Sequence, residues 1–215
     1  MAREYGATSG VRSSTDVSGW HQVPFLSVGR WEPNARGRLE LAAMELYVER
    51  GFENTTVAEI AGRAGLTERT FFRHFADKRE VLFSGAAALQ ERLTGAIAGA
   101  PGSDAPIEVV ASALEGAGAL LQERGTWARQ RQAVIGASEE LRERELIKLA
   151  SLAEAVGDAL RRRGVQDPAA SLTAEAGIAA FRVAFERWVD QPPKQNLPQL
   201  IRDSFDQLKA VTAGA

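Results

Sequence analysis

From Asn34 onward the apolar positions recur at helical spacing. Leu39, Ala42, Ala43 and Leu46 fall at i, i+3, i+4 and i+7, one face of a helix over 34–50. Gly51 follows Arg50, and a glycine just past the last turn is a common helix stop. Thr56-Val57-Ala58-Glu59 reads as a capping box, in which hydroxyl and carboxylate each satisfy an unpaired backbone N–H. Val57, Ile60, Ala61 and Ala64 form the buried face of that second helix, and Gly65 ends it. Thr67 caps a short third helix that runs to Phe75. Asp77-Lys78-Arg79-Glu80 reads as another capping box. It opens a fourth helix through Val81, Leu82, Leu89 and Leu93, which Pro101 and Gly102 end.

Further helices are predicted over 106–124, 126–136, 138–163, 168–190 and 196–212. Pro106 sits in a first turn, Gly125 follows Arg124, and Asp167-Pro168 reads as an N-cap with proline at the first helical position. No alternation of β-branched residues competes with this pattern, so the chain is expected to be all-α with about nine helices. An N-terminal three-helix module with a helix-turn-helix (34–83) would precede a larger helical domain (84–215). Residues 1–33 read as a tail of Gly, Ser, Thr and Pro without helical periodicity. Trp20, Phe25 and Trp31 point to packing of its last part on the domain, and a start at Val28 would leave most of it out of the product.

Composition narrows the function classes. The absence of cysteine excludes disulfides, thiolate metal sites and cysteine nucleophiles. His21 and His74 are the only histidines, too few for a histidine-rich metal centre. No run of about 18 apolar residues could span a membrane. The N-terminus lacks a signal-peptide pattern, so the cytosol is the expected compartment. Gly116-Ala117-Gly118 is a lone G-x-G inside a helical pattern, and neither G-x-S-x-G nor H-E-x-x-H occurs. Glu139 and Glu140 are adjacent and read as a solvated first turn. Neither catalytic residues nor a metal or cofactor are therefore expected, and a helical enzyme is the remote alternative. A net charge of −2 argues mildly against a DNA-binding role. A DNA contact needs only a local patch, however, and Arg69, Arg73, Lys78 and Arg79 outnumber Asp77 in one short stretch that also holds His74.

That stretch belongs to the most informative segment, 55–75, TTVAEIAGRAGLTERTFFRHF. Two short helices separated by a glycine-containing turn match a helix-turn-helix. In that motif the first helix braces the second, whose N-terminal half faces the major groove. Ala61 is small where the two helices would cross, and Gly65 can take the positive φ of a sharp turn. From Arg36 to Leu82 the sequence resembles the DNA-binding domain of the TetR family of repressors. The residues that carry this resemblance are Ala42-Ala43, Gly51-Phe52, Thr55-Thr56-Val57, Ile60-Ala61, Ala64-Gly65-Leu66-Thr67, Thr70-Phe71-Phe72, His74-Phe75 and Lys78.

The resemblance implies roles position by position. Thr56 would meet a phosphate through its hydroxyl and N–H, and Lys78 would meet another. Thr67 and Arg69 would touch base edges, with Thr70 beside them, and an arginine there can bond guanine O6 and N7. Family members commonly carry glycine at position 69, and a Tyr-Tyr or Tyr-x-His run where this chain has Phe72-Arg73-His74. Phe72 lacks the phenolic hydroxyl that would bond phosphate, and Arg73 could supply a charged bond instead. Phe72 is open to a core role or to contact with a thymine methyl. His74 is open to a phosphate bond or a structural one. Arg36 and Arg38 are open to phosphate contact or to solvent alone.

Residues from about 98 onward would form the effector-binding and dimerisation domain. Trp127, Arg131 and Ile135, then Glu139 to Arg144 and Arg163-Gly164, are similar to a TetR subgroup with an acyl-CoA-like ligand-binding domain. Helix 168–190 is apolar on more than one face, as expected of a helix with two neighbours. The last helix repeats Leu197, Leu200, Ile201, Phe205, Leu208 and Val211 at near-heptad spacing. Paired with their symmetry mates, these two helices would make a four-helix dimer seam with Phe205 and Leu208 inside it. The alternative is that the same residues fill a core within one chain. The expected function is a dimeric repressor of double-stranded operator DNA. It would be released from a pseudo-palindromic operator by an unidentified small apolar or acyl-type effector that binds between helices 106–124, 138–163 and 168–190, with Trp127 and Phe181 as pocket walls. Its motion would reach the DNA through helix 78–97. An activator of the same family is the alternative.

Overall fold

The computed structural model describes residues 34–191 and 195–214. The readings of Trp20, His21, Phe25, Val28 and Trp31 lie outside the described residues. Regular structure among the described residues is nine α-helices and no strand: α1 Ala35–Arg50, α2 Val57–Arg63, α3 Glu68–His74, α4 Ala86–Gly99, α5 Pro106–Glu123, α6 Gly125–Gly136, α7 Glu139–Arg162, α8 Ala169–Asp190 and α9 Leu197–Ala213. The all-α expectation stands. Four of the nine helices, α1, α2, α3 and α9, begin where a side chain takes up an unpaired N–H. The Asn34 carboxamide accepts from Gly37 N at 2.9 Å. Thr56 and Glu59 close their capping box, with Thr56 N donating to Glu59 Oε2 at 2.9 Å. Asn196 accepts from Gln199 N at 3.0 Å.

The fourth helix departs from expectation. It starts at Ala86, and residues 77–85 form a chain of tight turns instead. Leu82, Phe83 and Ser84 donate to the carbonyls three residues back, at 3.0 to 3.4 Å. Half of the predicted capping box is present, since Asp77 Oδ1 accepts from the amides of Arg79 and Glu80. The other half fails because the Glu80 carboxylate turns away to Arg144 and Lys148 of α7. Val81, Leu82 and Phe83 are all buried, and three consecutive residues cannot share one face of an α-helix.

The apolar side chains form two cores. One gathers Leu39, Ala42, Leu46, Ile60, Phe71, Phe75 and Val81–Phe83, and is completed by Val134, Ile135 and Leu141 from α6 and α7. The other gathers the body of α4, α5, α7, α8 and α9 around Leu114, Val156, Ile178 and Phe205. Between the cores lies a neck. No residue is fully buried from Ser84 to Arg92 on one side, or from Arg142 to Ser151 on the other. The α6–α7 corner thus belongs to the core of the DNA-binding helices, although 84–215 was expected to be a domain of its own.

Phe205 is the second departure. It was expected in a seam between subunits, yet only 1% of it is exposed and it fills the core of its own chain. Gly177 of α8 lies against the same packing and leaves room for Val110 of α5. A Cβ added there would stand 2.5 Å from Val110 Cγ1 and 3.7 Å from Phe205 Cζ. Leu208 is half-buried. On its outer surface α8 instead shows Leu172, Ala176, Ala179 and Val183 at i, i+4, i+7 and i+11, a stripe with small residues at its centre.

Two glycines with opposite surroundings, Gly177 on α8 and Gly116 on α5, test this packing. Gly177→Ala forces a methyl into Val110 and should destabilise the fold by about 1–3 kcal/mol. Gly116→Ala, on the exposed face of α5 with nothing within 4 Å of its added Cβ, should stabilise it by up to about 1 kcal/mol. Denaturant unfolding of both variants measures the contrast, and a Gly177→Ala protein as stable as the parent would contradict the packing.

Candidate nucleic-acid interface

The reading helix is positioned by what lies under it. Phe71 is fully buried and Phe75 nearly so, one turn apart, with ring centroids 5.5 Å from each other. They pin α3 to α1 and to the 81–83 turns through the first core. Gly65 takes φ +64° and lets the chain turn sharply between α2 and α3, as the sequence predicts. The Leu66 amide closes that turn on Ala61 O at 2.8 Å, and Arg38 Nη2 donates to Gly65 O at 3.2 Å. Thr67 caps α3 through Thr70 N, and the two hydroxyls lie 3.1 Å apart.

With Phe71 and Phe75 turned inward, Glu68, Arg69, Phe72 and Arg73 are turned outward on one exposed face. The arginines of this region separate cleanly. Arg36 pairs with Glu40, Arg50 with Glu59, Arg63 with Glu45 and Glu49, and Arg79 with Asp77 and Glu140. Arg38 is bonded to Gly65 O. Among the described residues Arg69 and Arg73 have neither ion pair nor hydrogen bond, so their charges remain available to an outside partner.

The nine residues expected to meet DNA fall into three groups. Thr67, Arg69, Phe72 and Arg73 share the exposed face of α3, with Thr70 half-buried beside them. Thr56 and Lys78 flank the loop that enters α2. Both Thr56 groups face Glu59, and Lys78 Nζ donates to the carbonyls of Phe52 and Thr55 at 2.9 Å each and lies 4.3 Å from the Phe52 ring centre. Arg36 and His74 line a recess of about 240 Å³ at the neck, with Phe83, Ala87 and Lys148. Arg36 there donates to Ser84 O at 3.2 Å and stacks over Phe75, while His74 Nε2 is buried without a partner. The expected effector walls are also apart: Trp127 packs against the first core, and Phe181 lies in the second, stacked on Phe185. Among the described residues no cluster of three His, Asp or Glu could hold a metal ion, and no helix is long and apolar enough to cross a membrane.

The sequence reading missed a polar weld across the neck. Glu80 Oε1 accepts from Arg144 Nη2 at 2.5 Å and Glu80 Oε2 from Lys148 at 3.1 Å. Burial pushes the Glu80 carboxyl up, but these two cations outweigh it and hold its pKa below the ordinary carboxylate value. Arg131 Nε donates to Leu82 O at 2.7 Å, and its Nη1 to Glu145 at 3.0 Å. Ser138 bonds Glu53 of the α1–α2 loop at 3.0 Å. These partners are 14 to 85 residues apart, and no local spacing reports them.

Residues 41–84 match the family model described as bacterial regulatory proteins, tetR family. Residues 104–213, more than half of the chain, match the one described as MftR C-terminal domain. The chain belongs to the tetR family of bacterial regulatory proteins. Among relatives of the tetR-type DNA-binding region is the HTH-type transcriptional regulator TcmR of Streptomyces glaucescens. It is 37% identical over 78 residues, which cover 36% of this chain and 34% of TcmR. The HTH-type transcriptional activator FasR of Mycolicibacterium smegmatis is 36% identical over 64 residues, covering 30% of this chain and 28% of FasR. The chain thus spans about a third of the length of the curated relatives it matches. Among solved structures, the transcriptional regulator FadR from Bacillus subtilis, in complex with stearoyl-CoA, superposes with a TM-score of 0.59 at 20% identity. The match covers 80% of this chain and 96% of FadR, and it speaks for the fold.

Lys78 is the residue on which geometry and family resemblance make different demands. A lysine that only met phosphate would contribute nothing to stability, whereas this one ties the loop before α2 to the 77–85 turns. Lys78→Met should therefore cost about 1–3 kcal/mol of folding stability by leaving the carbonyls unbonded. Chemical denaturation of the free protein measures it. An unchanged stability would show that the carbonyl bonds carry no weight.

Proposed function

We propose that this chain is a ligand-responsive transcriptional repressor that binds a pseudo-palindromic operator as a homodimer. The observation that carries the reading is the outward face of α3, where Arg69 and Arg73 are the arginines of the DNA-binding region without a partner among the described residues. In the free protein these exposed arginines are bonded only to water, and a major groove supplies acceptors for them and apolar contact for Phe72 beside them. The exposed Leu172–Val183 stripe of α8 is the surface that would pair two chains, with α9 beside it. Two reading helices would then face successive major grooves, about 34 Å apart. In this reading the protein works in the cytoplasm and catalyses nothing.

The effector in this reading is a small apolar or acyl-type molecule. Support comes from the C-terminal resemblance and from the fold shared with FadR, whose structure holds stearoyl-CoA. The side chains of Leu114, Val156, Ile178 and Phe181 fill the space between α5, α7 and α8, so the effector would enter by displacing them. Its effect would travel through α6 and α7, which serve both cores, rather than through α4 alone. Coupling of about 1–3 kcal/mol would lower operator affinity roughly 5–150-fold. FasR is named as an activator, and the same machinery would activate from an operator placed where it recruits polymerase rather than blocks it.

Binding-site selection from random duplex DNA tests the reading. It should recover a symmetric site. Arg69→Ala should then lose about 1–3 kcal/mol of affinity and relax preference at one base pair in each half-site. Recovery of no symmetric site, or of no selective binding, would overturn the reading.

A further inference from the structure

We infer that each half-site is read as a thymine and a guanine one or two base pairs apart, the thymine through its methyl by Phe72 and the guanine by Arg69. The inference rests on the operator-binding reading above and deepens it. Phe72 is 55% exposed, on a face whose other members are Glu68, Arg69 and Arg73. A phenyl ring gains nothing from water or from a phosphate. On its inner side it meets the fully buried Phe71 edge-on, with centroids 5.5 Å apart and planes at 83°, and the rest of the ring is turned outward. The ring therefore presents an apolar surface outward. On the base edges of the major groove the apolar feature is the thymine 5-methyl group.

Arg69 stands three residues before Phe72 on the same face, and no intramolecular bond competes for its guanidinium among the described residues. Three residues advance an α-helix by about 4.5 Å. Stacked base pairs advance by about 3.4 Å. The two side chains therefore fall on positions one or two base pairs apart. Arg73, one turn beyond Arg69, sits toward the C-terminal end of α3, nearer the backbone than the base edges when the N-terminal half points into the groove.

Single-atom-group changes in a selected operator separate the two readings. Deoxyuridine in place of one thymidine removes the methyl and leaves pairing intact. At one thymidine per half-site it should weaken wild-type binding about fourfold, the worth of one buried methyl-sized group. 7-Deazaguanine, which lacks the N7 acceptor, should weaken binding about two- to tenfold at one guanine one or two base pairs away. Phe72→Ala should abolish the deoxyuridine effect and keep the deazaguanine effect, and Arg69→Ala should do the reverse. Circular dichroism checks that both variants keep their helices, and the nucleotide changes on wild-type protein stand apart from any folding defect. A selected operator insensitive to deoxyuridine at every thymidine overturns the inference while leaving operator binding in place. So does a deoxyuridine effect that persists in Phe72→Ala, or two sensitive positions three or more base pairs apart. Failure to select any operator is the separate failure of the underlying reading.

Discussion

The DNA-binding helices do not close their own core. Leu39, Leu46, Ile60, Phe71 and Phe75 pack beneath the reading helix, and Val134, Ile135 and Leu141 from the α6–α7 corner complete that packing. Burial of side chains this size contributes roughly 1.5–3 kcal/mol each. That is a large share of what holds a small three-helix module together. The presentation of Arg69 and Phe72 to the outside therefore depends on residues some seventy positions further along the chain. The bonds of Arg131 to Leu82 O, of Ser138 to Glu53 and of Glu80 to Arg144 and Lys148 surround the same contact and fix its register.

This arrangement gives α7 two attachments. Its first turn sits in the core of the reading head, and from Leu152 onward it sits in the core of the C-terminal body. The stretch between touches the rest of the protein mainly through polar side chains, opposite a run of small residues from Ser84 to Ala88. Apolar packing resists sliding because interiors are close-packed, so each end of α7 is held to its own core.

Much of this could be read along the chain. The α1, α2 and α3 bounds follow from periodicity, Thr56 and Thr67 caps, and a glycine at 65 that takes its positive φ. The face of α3 follows in part: Phe71 and Phe75 one turn apart leave 68, 69 and 73 outside, while Phe72, open to core or groove by sequence, is placed outside only by the structure. What failed depended on partners far away in sequence. The 77–80 box carries the right residues, but Glu80 is claimed by cations 64 and 68 positions on. The α9 stripe with Phe205 was visible, but whether a second chain or the same chain covers it depends on residues of other helices, among them Val110 and Leu114 of α5 and Ile178 of α8. Trp127 and Phe181 were grouped as aromatics of one domain, and only the packing separates them into two cores.

Hydrogen exchange on a Leu141→Ala variant tests the shared core most directly. The truncation removes a fully buried side chain of α7 that belongs to the first core. It should cost about 2–5 kcal/mol locally. The amides of Ala42, Ala43 and Leu46 in α1 should lose protection together with those of the first turns of α7, while amides in the middle of α5 and α8 keep theirs. Loosening confined to α7, with α1 to α3 as protected as in the parent, would contradict the account.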